Sequence, residues 1–418
     1  MKKYLLALIL LLLAFVTKAT SLLIPMDEVQ KDHLKSYGIA FWILKNAGEV
    51  DWLLNYRGGS FMTTYGKQIE DECKIRGVSY EVLPDAKVTA ILTGVSDPSV
   101  NMDVVKLQKA PKMAVYSPKN KLPWDDAVTL VLKYAEIPYD VVYDEEVLKG
   151  DLSKYDWLHM HHEDFTGQYS KFFAAFRFQP WYQDDVKKQE ETAHKLGFKK
   201  VSQTKLAVVQ RIHDFCNAGG FLFAMCSGTD TFDIAAAAAK TDICETMFDG
   251  DAADSRAQGK LDFNQTFAFQ NFQLDMNPMS HQFSDIDMTN FRQVDRTRDF
   301  FTLFDFSAKW DVVPSMLTQN HDKVIKGFMG LTTAYNKARI KPDVTVMGEM
   351  KTGNEARYIH GDFGKGQWTF YGGHDPEDYQ HAVGDPPTDL KLHPNSPGYR
   401  LILNNVLFPA AKKKKQKT

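Results

Sequence analysis

Residues 220–228 read Gly-Phe-Leu-Phe-Ala-Met-Cys-Ser-Gly, and an Ala-rich helix is expected shortly after, over Asp233–Ala239. An apolar run that ends in a tight turn and enters a helix is the sequence form of a nucleophile elbow, in which a strained turn lifts a thiol or hydroxyl above a sheet. A helix N-terminus beneath the Cys226 sulfur favours the thiolate. The Ser227 amide N–H would then face an oxyanion formed when the sulfur attacks a carbonyl. A second segment, residues 366–377, reads as a strand that ends in the pair Gly372-Gly373 and delivers His374 beside Asp375 and Glu377. In a cysteine-histidine-acid site, Cys226 attacks, His374 holds the thiolate as an ion pair and later protonates the leaving group, and Glu377 or Asp375 orients the imidazole. Asp375-Pro-Glu-Asp equally reads as the N-cap and acidic first turn of a short helix, so both roles stay open.

The run His159-Met-His161-His162-Glu163-Asp164 is a second constellation. On a strand, His159, His161 and Glu163 share one face and His162 and Asp164 the other, so one face could offer two imidazoles and a carboxylate to zinc or another divalent ion. The alternative is that these side chains line a substrate pocket. His281, in a stretch that also holds Asp285 and Asp287, is a further pocket candidate. The acidic group Asp249, Asp251 and Asp254 lacks the ligand order of a calcium loop and reads as a solvated loop. No cofactor is expected, and a divalent metal is the one alternative.

These residues need elements to hold them. Before residue 110 the pattern predicts a helix over Met26–Asn46, a strand over Val50–Tyr56, a turn at Arg57–Ser60, a helix over Gly66–Arg76 and a strand over Ser79–Leu83, a small α/β unit. From residue 111 strands and helices alternate: strands Met113–Tyr116, Tyr139–Tyr143, Tyr155–Glu163 and Phe221–Met225, with helices over Asp125–Ala135 and Gln183–Asn217. Strands separated by crossover helices imply a mostly parallel sheet covered on both faces, with ligands at the carboxyl ends of the strands. The rhythm breaks over an insertion at about 249–357.

Lys2 and Lys3 precede thirteen apolar residues, Tyr4–Val16, and then Thr17-Lys18-Ala19, the pattern of a secretory leader over residues 1–19. The expectation is an exported protein, periplasmic or extracellular, with no transmembrane segment. Fifty basic and 53 acidic residues leave a net charge of −3, which excludes a nucleic-acid partner. Residues 411–418 form a basic tail. The four cysteines allow a Cys216–Cys244 disulfide, with Cys73 and Cys226 free, although spacing alone does not set the pairing.

The order of strand, long crossover, Ala-Met-Cys226-Ser-Gly228 and late Gly373-His374-Asp-Pro-Glu377 resembles the class I glutamine amidotransferase-like superfamily. The resemblance covers about residues 110–410 and implies a flavodoxin-like domain with a Cys-His-acid triad. Residues 364–377 are similar to the closing strand of ThuA-like proteins, in which a histidine comparable to His281 precedes a substrate-covering segment. Ala224 replaces the first elbow glycine of true amidotransferases, and ThuA-like proteins usually lack the elbow cysteine. The whole chain resembles a group of exported Bacteroidetes proteins labelled asparagine synthetase B. That label implies an N-terminal cysteine and an ATP-binding Ser-Gly-Gly-x-Asp-Ser loop, and the sequence has neither, with Lys2 at the second position. The expected function is a cysteine-dependent hydrolase or amidotransferase-like protein acting on an amide or ester of a small-molecule or carbohydrate-type substrate. The alternatives are a non-catalytic ThuA-like ligand-binding module and a metal-dependent hydrolase.

Overall fold

The computed structural model describes residues 19–119, 122–291, 295, 297–351, 353–380 and 382–411. Residues 1–18, where a leader was expected, and the tail from Lys412 lie outside the described residues. Among them no helix is long and apolar enough to cross a membrane.

The fold is α/β, with two sheets. The first is antiparallel, in the order β4-β1-β3-β2-β5, from β1 (Ala19–Ile24), β2 (Val50–Leu54), β3 (Ser60–Thr64), β4 (Glu81–Pro84) and β5 (Asp103–Leu107). The turn before β3 holds Arg57, whose guanidinium bonds Asp27 and Glu81, each at 2.6 Å, so its charge is spent on ion pairs within the unit.

The second sheet has ten strands and is mixed, where a mostly parallel one was expected. Its parallel part runs β7-β6-β8-β9-β15, from β6 (Met113–Tyr116), β7 (Asp140–Val142), β8 (Trp157–Met160), β9 (Phe221–Met225) and β15 (Gly366–Tyr371). The rest is an antiparallel extension: β10 (Phe300–Leu303), β11 (Val324–Lys326), β12 (Tyr335–Asn336), β13 (Thr345–Glu349) and β14 (Glu355–Phe363). The reversal is set at the β14–β15 hairpin, where Phe363 pairs with Gly366 across Gly364-Lys365. Gly364 has φ +61°, as a two-residue hairpin turn requires.

Both faces of this sheet are covered. Met113 and Val115 join a core with the helices Ala127–Tyr134, His33–Lys45 and Pro397–Leu407, while Ala114 and Tyr116 join another with Val201–Ala218 and Ser227–Ala237. The first core also takes in Leu22, Trp52 and Phe61, so the antiparallel unit and the larger sheet share one interior. Each fully buried aliphatic or aromatic side chain in these layers contributes about 1.5–3 kcal/mol.

Three further expectations change. The helical stretch Gln183–Asn217 is two helices, Pro180–Lys195 and Val201–Ala218, separated at Gly197, which takes φ +88°. The strand expected to reach Glu163 ends at Met160. All four cysteines are free and buried, so Cys216 and Cys244 are not paired; the Cys244 thiol donates to the Thr166 carbonyl at 3.3 Å.

Candidate active site

The strand passes straight into a helix that begins at Ser227, where one was expected from Asp233. Cys226 follows β9 directly and takes φ 50°, ψ −138°, a strained conformation for a residue with a side chain, as the N-cap of the helix Ser227–Ala237. Ser227 is the first residue of that helix, so its N–H is among the amides that an α-helix leaves without an internal partner. Gly228 allows the loop after β8 to close on the elbow: its N–H donates to the His161 carbonyl at 2.6 Å, and a Cβ would lie 2.6 Å from that oxygen. The Ser227 hydroxyl donates to the His162 carbonyl at 3.0 Å. Elbow and histidine run are thereby locked together.

His374 arrives from the end of β15. Gly373, at φ +101°, turns the chain against Phe328, and the N–H groups of Gly373 and His374 donate to the carbonyls of Thr332 and Met329 at 2.8 and 2.9 Å. Burial lowers the pKa of the His374 ring, but the neighbouring Asp125 carboxylate and Cys226 sulfur outweigh it and push it up to about 10. Nε2 lies 3.7 Å from Asp125 Oδ1. The Leu331 N–H faces the sulfur at 3.1 Å. Sulfur, imidazole and carboxylate are therefore gathered in a buried site, with Cys226 1 % exposed.

The acids adjacent to His374 in sequence have other partners. Glu377 Oε2 is 3.2 Å from His393 Nδ1. Asp375 is fully buried and accepts from the Glu377 N–H at 2.9 Å within a turn; no helix begins there, so the expected N-cap role is not what it performs. The acid facing His374 is Asp125, supplied by the loop after β6. Sequence reasoning passed over Asp125 because it seemed only to open a helix. The adjacent Asp126 performs that task, accepting from the Thr129 N–H at 2.8 Å.

Because the chain leaves the sheet at Met160, strand alternation stops there. His159 stays on the sheet, with Nδ1 3.0 Å from the Phe223 carbonyl and Nε2 3.2 Å from Asp126 Oδ2. His161 and His162 both turn toward His374, with ring centroids 4.5 and 6.1 Å from it. Glu163 Oε2 accepts the His161 N–H at 3.1 Å, and burial together with the nearby Asp126 raises its pKa to about 8. The expected metal set His159, His161 and Glu163 is thus not gathered. Among the described residues the groups that converge are His161, His162 and His374, and Asp126, His159 and His161, together with Asp242, Cys244 and Asp249 elsewhere.

His162 and Glu163 also line an aromatic cleft with Trp124, Phe172, Trp181 and Tyr182. Trp124 stands edge-on to His162 at 5.2 Å. Buried polar atoms in this cleft, Trp124 Nε1, Ser170 Oγ, Tyr182 Oη and Glu163 Oε1, have no hydrogen-bond partner among the described residues. His281 is not part of this wall. It is exposed, with Nδ1 3.4 Å from the Lys171 carbonyl.

No protein-family model matches the chain, and no curated protein does. Solved structures resemble it at low similarity. The cytoplasmic protein STM3548 from Salmonella typhimurium is 10 % identical with a TM-score of 0.35, over 72 % of this chain and all of that one. The cytoplasmic protein STM1381 from Salmonella typhimurium LT2 is 12 % identical with a TM-score of 0.36, over the same shares. Gan42B, a GH42 β-galactosidase, is 13 % identical with a TM-score of 0.29, over 64 % of this chain and 28 % of that one.

Proposed function

We propose that the protein is a cysteine-dependent hydrolase that cleaves an amide or ester through Cys226, His374 and Asp125. The observation that carries this reading is the strained Cys226 at a helix N-terminus with the His374 ring beside its sulfur and Asp125 3.7 Å from the imidazole. In the first step Sγ adds to the carbonyl carbon, and the oxyanion faces the N–H groups of Ser227 and Leu331. The C–N or C–O bond then breaks as His374 gives its proton to the leaving group. Water attacks the resulting thioester, His374 takes its proton, and the C–S bond breaks to release the acid and return the thiolate. Asp125 orients the ring and stabilises the imidazolium.

The order β7-β6-β8-β9-β15, numbered along the chain as 2-1-3-4-5, is that of flavodoxin-like sheets and supports the class I glutamine amidotransferase-like reading. Cys226 and His374 come from the carboxyl ends of neighbouring parallel strands, where such sheets place ligands. The aromatic cleft shares His162 with the site and supplies unpartnered polar atoms to fix a polar substrate. The leader pattern of residues 1–19 supports action outside the cytoplasm. The same cleft favours a second reading, a ligand-binding module without turnover.

An activated ester separates the two. On incubation with p-nitrophenyl acetate, the hydrolase carries an acetyl group on Cys226, detected by peptide mass spectrometry and lost in Cys226→Ser. Absence of that adduct from the wild type would leave the binding module.

A further inference from the structure

Three imidazoles meet at the elbow. His161, His162 and His374 each offer a ring nitrogen within 4.8 Å of the others, and their side chains are 0, 8 and 8 % exposed. The ring centroids of His161 and His162 are 5.3 Å apart. Neither ring nitrogen of His162 is hydrogen-bonded among the described residues, nor is Nε2 of His161, whose Nδ1 faces Asp126 Oδ2 at 3.4 Å. A buried polar atom left without a partner costs about 1–3 kcal/mol. Two adjacent histidines in that condition, converging with a third, need a ligand that accepts lone pairs.

We infer that His161, His162 and His374 bind a borderline divalent transition-metal ion, zinc being the type case, through imidazole nitrogens. Three-histidine sets suit zinc, and imidazole equally takes nickel, copper or cobalt. The surroundings match what such sites require behind the ligands. Asp126 stands at His161 Nδ1 and would fix the ring so that Nε2 faces the ion, the carboxylate-histidine-metal arrangement. Asp126 is itself held by the Thr129 N–H and by His159, which is anchored on the Phe223 carbonyl. The group Asp242, Cys244 and Asp249 does not compete on equal terms, because Lys200 lies 2.7 and 3.0 Å from its two carboxylates.

This site goes beyond the hydrolase reading, since ion binding does not depend on turnover at Cys226. It also bears on that reading. His374 cannot ligate an ion and serve the Cys226 sulfur at once, so a bound ion would silence the thiol.

The test is a cobalt titration of the full chain after treatment with chelator. The visible absorption of four- or five-coordinate cobalt should saturate at one ion per chain and be displaced by zinc. His161→Ala and His162→Ala should each weaken binding at least about tenfold, Asp126→Asn about 10–100-fold as an outer support, and Cys244→Ser not at all. X-ray absorption of the wild-type zinc complex, which needs no variant, should show a shell dominated by imidazole. An octahedral cobalt spectrum, a zinc shell of oxygen or sulfur alone, or folded His161 and His162 variants that bind as the wild type does would overturn the site. Acetylation of Cys226 in the chelator-treated protein is read separately, so each proposal can fail without the other.

Discussion

The backbone N–H of Leu331 donates to the Cys226 sulfur at 3.1 Å, and a buried lysine holds the peptide that follows it. Lys171 Nζ donates to the Leu331 carbonyl at 3.2 Å and to Thr332 Oγ1 at 2.7 Å, and it pairs with Asp230 at 2.8 Å and Asp287 at 2.9 Å. All three charged side chains are fully buried. Removing the cation leaves two carboxylates facing each other out of water. Lys171→Met should therefore cost about 3–5 kcal/mol in urea unfolding. A loss below about 1 kcal/mol would show that the clamp does not bear on the fold.

Asp125, not Glu377, is the acid that faces His374. In the chelator-treated protein, Asp125→Asn should slow acetylation of Cys226 at least about tenfold, since it removes a charge-assisted partner of the imidazolium. Glu377→Gln, which alters only the partner of His393, should leave the rate within about twofold. The reverse order would return the triad to the acid adjacent in sequence.

Gly228 is fixed by the approach of the His161 carbonyl. A Cβ at 2.6 Å from a backbone oxygen forces the elbow and the histidine loop apart, so Gly228→Ala should destabilise the protein by about 1–3 kcal/mol. It should also slow acetylation of Cys226. Unchanged melting and unchanged acetylation would show that this contact positions nothing.

The elbow was legible in the sequence because its signal is local: an apolar strand, a cysteine and a small residue at the point of close approach. The parallel strands β6, β8 and β9 were legible for the same reason, each a short apolar run between turn residues. What failed was information carried by distant contacts. Asp125 reaches His374 only because β6 and β15 both end at the same edge of the sheet. His161 and His162 share a direction because β8 stops at Met160, where its pairing with β9 ends. In the antiparallel extension β10 and β11 alternate but are only four and three residues long, too short to stand out, and β13 does not alternate.

Acid should weaken the fold through neutral histidines away from the site, His360 buried and His213 and His321 partly buried. Burial lowers the pKa of His213, His321 and His360 to about 4, with Arg400 adding to the effect at His321. An unfolded histidine titrates near about 6.5. Their folded values lie below this, so the unfolded chain binds more protons between the two, and stability present above about pH 6.5 is lost as pH falls toward about 4. Urea midpoints measured from about pH 7.5 down to pH 4.5 should decline across that window. A flat profile would contradict the burial of neutral rings.

The central claim is that His374 holds the Cys226 sulfur as a reactive thiolate, and alkylation reads this most directly. Iodoacetamide at about pH 6, applied to the chelator-treated chain and followed by peptide mass spectrometry, compares Cys226 with Cys73, whose thiol burial pushes up to about 12. The account predicts fast labelling of Cys226, almost none of Cys73, and at least about tenfold slower labelling of Cys226 in a folded His374→Ala variant. Cys226 inert at pH 6 in the wild type, or labelled equally fast without His374, would contradict it.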